Sequence, residues 1–237
     1  MTSIKTAARR AGMLYLLLAI IGPFNDIYVP NALIVTGDAT ATAGKIAAAE
    51  LTYRLGILSG LVAHVVFLFL AASLYDLLKD VDRKNARLML MLVVTGVAVG
   101  VVNLFHQIAP LILSSGASFL AVFSKPQLDA LALGFLRLRS SGTYVAMAFW
   151  GLWLLPFGIL VIKSGFIPRV LGVLLIVGCF AYLTVSCTAI VFPARTAIVS
   201  QIMLPFFAVG ELSMIVWLLV KGAKEPLPQA RPSHVST

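Results

Sequence analysis

Apolar residues run through this chain in six long blocks, and the charged residues collect in the short segments between them. The blocks extend from Gly12 to Val29, Leu55 to Leu78, Leu88 to Leu113, Tyr144 to Ile162, Val170 to Phe192 and Ile198 to Val220. Only Asp26, Asp76 and Glu211 bring charge into them. A helix rising ~1.5 Å per residue needs about 20 largely apolar residues to cross the ~30 Å hydrocarbon core, so each block is of spanning length. Hydrocarbon offers no partner to a backbone N–H or C=O, which forces each span to close its own hydrogen bonds as an α-helix. The short alternating segments of a β-barrel are missing. The pattern predicts an all-α fold: a polytopic membrane helix bundle with six transmembrane helices over residues 1–222.

The segments between the blocks carry their own helix signals. Asp38 is a good N-cap for an Ala-rich stretch that ends in the i,i+4 pair Glu50 and Arg54, predicting a short interfacial helix before the second span. Ser124 and Gln127 have capping-box spacing with Pro126 in the first turn. Beyond them Leu128, Leu131, Phe135 and Leu138 recur at helical spacing, while Lys125, Asp129, Arg137 and Arg139 supply polar groups. This predicts a separate amphipathic helix lying on the outer surface, with a lid over a cavity as the sharper reading. Lys163 to Arg169 sets Gly165 just past one helix and Pro168 at the start of the next, a tight helical hairpin. Residues 223–237, with Pro226, Pro228 and Pro232, lack apolar periodicity and are expected to form a disordered cytoplasmic tail.

Composition agrees with the pattern and charge orients it. With 60% hydrophobic and 11% charged residues, the chain has too little polar surface for a soluble enzyme of its 237 residues. The net charge of +9 would suit nucleic acid, but the basic residues cluster between apolar blocks rather than along one polar face, so no nucleic-acid partner is expected. With the N-terminus inside, 12 Lys and Arg fall on the cytoplasmic side and 6 on the other, which predicts both termini cytoplasmic. Lys5, Arg9 and Arg10 precede the first block as in a signal peptide, but no small-x-small site follows, so that block is expected to stay as a helix. Cys179 and Cys187 are eight residues apart on one helix, about 12 Å, too far to bridge, and read as packing residues.

The polar residues inside the blocks are the candidate chemistry. Gly56, Gly60 and His64 form one stripe and Gly96, Gly100, Asn103 and Gln107 another, each containing the small-xxx-small pattern that lets helices approach. Counting from charged helix ends puts Glu211 about 15 Å from Lys221, near mid-bilayer, with His64 at similar depth. Asn25, Asp26, Asn103, His106 and Gln107 lie nearer the outer interface. A carboxyl at mid-bilayer costs a few kcal/mol unless neutralised or paired, which makes Glu211 the most informative residue; desolvation favours its neutral form. No HxxxH or HExxH spacing exists and the candidate ligands come from four spans, so neither a metal nor another cofactor is expected. Pro23, Pro110, Pro156 and Pro205 each remove a helix hydrogen bond, and kinks beside polar residues can open a cavity. Tyr144, Trp150 and Trp153 are candidates to line such a cavity, with ordinary interface and core aromatics as the favoured reading.

Several stretches together carry a resemblance: Arg9-Arg10-Ala11-Gly12-Met13-Leu14-Tyr15, Gly37-Asp38-Ala39-Thr40-Ala41, Phe149 to Pro156, Ser164-Gly165-Phe166-Ile167-Pro168-Arg169 and Gly210-Glu211 leading to Gly222. The chain resembles the bacterial multipass membrane proteins grouped as domain of unknown function 4386. The resemblance implies an inner (cytoplasmic) membrane protein and supplies no reaction. From the residues alone, the expected role is non-enzymatic binding, sensing or transfer of a small amphipathic or lipid-like molecule in an outward-opening intramembrane cavity. An intramembrane enzyme using Glu211 and His64, metal-assisted or not, and a proton-coupled transporter are the alternatives. Membrane lipids are the expected partners, and oligomeric state is left open.

Overall fold

A computed structural model describes residues 4–223; the expected tail lies outside them, apart from its first residue. Among the described residues six helical segments are long and apolar enough to cross a membrane: 4–33, 50–78, 83–113, 125–164, 169–191 and 193–220. No strand occurs among these residues, and the protein is an all-α polytopic bundle.

The first segment is built from α1 (Ile4–Pro23), one turn of π-helix (Phe24–Tyr28) and α2 (Val29–Leu33). The wide turn closes with Val29 N–H donating to the Phe24 carbonyl, five residues back. Pro30 explains the location, because it has no N–H for the Asp26 carbonyl and its ring crowds that carbonyl. A short α3 (Ala39–Ala48) follows, with the Asp38 side chain accepting from Ala41 N–H at 2.9 Å, as its sequence predicts. The second span, α4 (Glu50–Leu78), starts one turn earlier than the apolar block, and the Glu50–Arg54 ion pair (2.7 Å) sits on that added turn. Asp82 caps α5 (Arg83–Leu113).

The fourth segment differs from its expected form. Residues 125–152 make one continuous helix, α6 (Lys125–Leu152), so the predicted separate surface helix and the predicted span from Tyr144 are a single element. Nothing between Arg137 and Thr143 breaks a helix, and Gly142 is held in register because a Cβ there would run into Asn103. Leu131, Phe135 and Leu138 are exposed, whereas Asp129, Ala132, Leu136 and Arg139 are buried against the bundle. In a membrane the exposed apolar stripe meets lipid and the polar stripe meets protein. The helix breaks only at Trp153, where Pro156 lacks an N–H for the Leu152 carbonyl, and α7 (Leu154–Ser164) continues. Gly165 then ends α7 at φ 71°, the left-handed conformation glycine adopts most readily, and Pro168 precedes α8 (Arg169–Val191) as anticipated. The last helix is α9 (Thr196–Val220).

Consecutive spans are neighbours, and α9 closes back on α1, so the six segments form a ring. At the basal end, where α1 begins and α9 finishes, the ring is filled by Leu70, Leu74, Met89, Phe157, Met214 and Leu218, all essentially inaccessible. Lys163 bridges to Asp82 at 2.7 Å across two basal turns. The glycine stripes work differently from a plain helix-helix seam. Gly56 admits the Val29 side chain, Gly60 admits Asn25 and Gly100 admits His64. True backbone-to-backbone approach occurs at Gly158 and Gly172, where a Cβ on either would lie 2.6 Å from the other's carbonyl oxygen.

Candidate functional site

Away from the basal plug the centre of the ring holds a cavity of about 360 Å³. All spans except α5 contribute to its wall. At its floor, Glu211 projects from α9 between two tyrosines. The Tyr15 hydroxyl on α1 donates to Oε2 at 2.6 Å and the Tyr182 hydroxyl on α8 donates to Oε1 at 2.8 Å. Neither tyrosine was singled out by sequence, since a tyrosine in an apolar block looks like any core aromatic. Glu211 enters no ion pair among the described residues.

His64 stands on the cavity wall with Glu211. Its Nδ1 lies 2.7 Å from the Gly60 carbonyl, which can only accept, so Nδ1 carries the proton and Nε2 is left as an acceptor. That Nε2 is buried and has no partner. Trp150 and Trp153 also line the cavity, although Trp153 is at the same time a core residue stacked on Phe157 at 5.2 Å. Of the two roles open to them in the sequence, cavity lining and ordinary core or interface packing, both tryptophans take the first, the less expected one, and Trp153 takes the second as well.

A second polar group lies at the other end of the cavity, built on the π-turn. Asp26 accepts from Arg139 Nη2 at 2.6 Å, and the same nitrogen lies 3.4 Å from the Asn25 carbonyl. Asn25 Nδ2 adds a bond to Asp26 Oδ1 at 3.2 Å. Arg139 is the residue that depth counting missed, being placed with the external basic set. Its stripe of i, i+3, i+7 and i+10 partners from Asp129 was the available signal. The Arg139 carbonyl accepts from Asn103 Nδ2 at 2.9 Å, and Asn103 Oδ1 accepts from His106 Nδ1 at 3.1 Å. Asn25, Asp26, Asn103 and His106 therefore form one network through Arg139. Gln107 stands apart: its carbonyl accepts from Tyr53 at 2.8 Å, while its side-chain oxygen is buried without a partner.

Among the described residues no three His, Cys, Asp or Glu side chains come together in a metal-binding cluster. Cys179 is buried and Cys187 exposed, both as free thiols.

A family model described as Domain of unknown function (DUF4386) matches residues 10–222. The chain belongs to that family. The matched region contains every residue of both polar groups and the whole cavity wall. Searches of curated proteins and of solved structures give no match. What this family member offers chemically is a mostly apolar chamber with a carboxyl at one end and a neutralised Asp–Arg pair at the other, about 16 Å away along α1 from Tyr15 to Asp26.

Proposed function

We propose that this protein binds a small amphipathic molecule within the membrane, for sensing, shielding or transfer. One observation carries the reading: a cavity of about 360 Å³, within the ~300–1,000 Å³ range of small-molecule sites, sits inside a membrane bundle with apolar walls and polar groups at its ends. Its rim favours entry from the lipid. Ile27 and Leu212, both part of the wall, are 58% and 55% exposed, so the chamber meets the membrane between the first span and α9. A ligand with a polar head and an apolar body suits such an opening. The positive-inside bias and the family resemblance support a bacterial inner membrane with both termini cytoplasmic. In that orientation the Asp26–Arg139 end faces outward.

The enzyme alternative requires Glu211 and His64 to act as an acid–base pair. Each instead hydrogen-bonds elsewhere, Glu211 to two tyrosines and His64 to Gly60. The binding reading is therefore preferred.

Gly22 supplies the test. It lines the cavity, and a Cβ there meets nothing within 4 Å, so a Phe side chain has room to project into the chamber. Native mass spectrometry of the protein purified in mild detergent is expected to find a retained amphiphile on the wild type and none on Gly22→Phe. A wild type carrying nothing, or equal retention by the variant, would overturn the proposal.

A further inference from the structure

The charge arrangement of the cavity narrows the ligand class, taking the binding role as given. Two acidic residues line the chamber, Asp26 and Glu211. Asp26 is neutralised by Arg139. Glu211 receives two O–H donors and no cation, so hydrogen bonding is supplied on both carboxyl oxygens while charge is left unbalanced. A tyrosine hydroxyl can donate or accept, so the pair satisfies the neutral carboxyl and turns both donors to the carboxylate when a cation sits beside it, and no cation of the protein competes for that place.

The surroundings have the same polarity. Tyr15, Phe67, Trp150, Trp153, Tyr182 and Phe207 all contribute to the wall. Tyr182 stacks on Phe207 at 4.3 Å, and Trp153 meets Tyr15 at 5.9 Å and Phe67 at 5.3 Å, so the two tyrosines that hold the carboxyl are themselves packed among the aromatic rings of the wall. Aromatic faces carry negative potential and attract ammonium groups within about 6 Å of the ring centre. His64 adds no acceptor here, because its Nε2 is packed into the notch of Gly100 on α5. The titratable side chains facing this end are Tyr15 from α1, His64 from α4, Tyr182 from α8 and Glu211 from α9; among the described residues no Lys or Arg joins them.

We infer that the Glu211 end of the cavity is a site for the head of an amphipathic organic cation, an ammonium group whose hydrocarbon tail leaves past Ile27 and Leu212. An anionic head would meet the carboxylate with like charge, and a neutral head would draw nothing from it. An ammonium head balances the carboxylate and replaces its lost hydration with aromatic faces. The chemistry is shared by free lipophilic amines and by aminolipid head groups.

The test titrates purified protein in dodecyl maltoside, an uncharged detergent, and follows tryptophan fluorescence. Trp150 and Trp153 report from the wall, and Trp217→Phe removes the remaining signal. The probes are decyltrimethylammonium, its uncharged carbon isostere 2,2-dimethyldodecane, decyl sulfate and phosphatidylethanolamine. The cation is expected to bind about tenfold or more tighter than the isostere, with decyl sulfate weaker still, and Glu211→Gln is expected to abolish the preference for charge. Saturation by phosphatidylethanolamine alone would assign the site to a lipid head group; saturation by decyltrimethylammonium alone would assign it to free amphiphiles. Equal binding of cation and isostere, both blocked by Gly22→Phe, would overturn the cation site while leaving the amphiphile cavity standing. Absence of binding by every probe would remove both. Should Glu211→Gln fail to fold, the charge preference of the wild type still decides the matter.

Discussion

Alanine at Gly158 or Gly172 will destabilise the protein, and alanine at Gly44 will not. A Cβ at Gly158 would lie 2.6 Å from the Gly172 carbonyl oxygen and 2.7 Å from Ile176 Cγ1; at Gly172 it would lie 2.6 Å from the Gly158 oxygen. Ordinary carbon–oxygen contact is nearer 3.4 Å, so α7 and α8 must separate by most of an ångström. The obstacle is backbone, which cannot rotate aside. Over-packing of this kind costs about 1–3 kcal/mol, while replacing a helical glycine by alanine returns about 1 kcal/mol, leaving a net loss of up to about 2 kcal/mol. Gly44 lies on exposed α3 with nothing within 4 Å of an added Cβ, so only the gain of about 1 kcal/mol remains. At roughly 2–4 °C per kcal/mol for a chain of this size, the variants should melt on opposite sides of the wild type. Cys179, a buried free thiol, gives the readout in a Cys187→Ser background: a thiol-reactive fluorophore reports its exposure on heating in detergent. A Gly158→Ala variant melting at or above Gly44→Ala would refute the claim that these backbones touch.

Three further outcomes are expected. Removing either partner of the Asp26–Arg139 pair should destabilise, Asp26→Asn more than Arg139→Gln, because Arg139 is 7% exposed and its stranded guanidinium would lack water that the 31% exposed Asp26 retains. The larger effect should approach the ~3–5 kcal/mol of a broken buried pair, and the double variant should lose less than the two single losses combined; additivity in the same thiol assay would count against the pair. Lys163, followed by the Asn85 backbone and side-chain N–H groups, holds the Asp82 carboxyl well below the usual carboxylate range. Its contribution is complete above the unfolded value near ~3.9 and fades as pH falls toward the depressed folded value, so the melting advantage of wild type over Lys163→Met should shrink below about pH 4; a gap constant down to about pH 3 would contradict the linkage. Finally, single cysteines at Ser118 and Ser164 in a cysteine-free background should label from opposite sides of the membrane, Ser118 from outside, and labelling from one side would overturn the six-span topology.

The spans were legible because hydrocarbon leaves a long chain no option but helices of about 20 apolar residues, and caps such as Asp38, Ser124 and Gly165 mark boundaries by local chemistry. Arg139 was misplaced because counting from charged ends treats every arginine as a marker of the interface, whereas this one is drawn inward by Asp26, 113 residues away in sequence. The same assumption split α6 in two. Glu211 stood out as a charge within an apolar block, but its tyrosine partners did not: their hydroxyls acquire meaning only when α1, α8 and α9 are brought together around it. Trp150 and Trp153 reach the cavity wall beside the break between α6 and α7. Pro156 announces a break in the helix, and only the packed ring decides which way the broken end turns.

The π-turn at Phe24–Tyr28 makes the first span two rotors joined at a fixed offset. One residue more than an α-helical turn requires is held there, and each residue advances a helix by about 100°. On the basal side the phase is locked by Tyr15 against Glu211; on the far side it is locked by Val29 and Asn25 seated in the notches of Gly56 and Gly60. Winding the same residues as a plain α-helix would swing the far rotor by about 100°, withdrawing Val29 from its notch while Tyr15 stayed engaged. The wide turn therefore reconciles two angular appointments, that of Tyr15 and that of Val29, by taking up the one residue by which the stretch between them exceeds a plain helix.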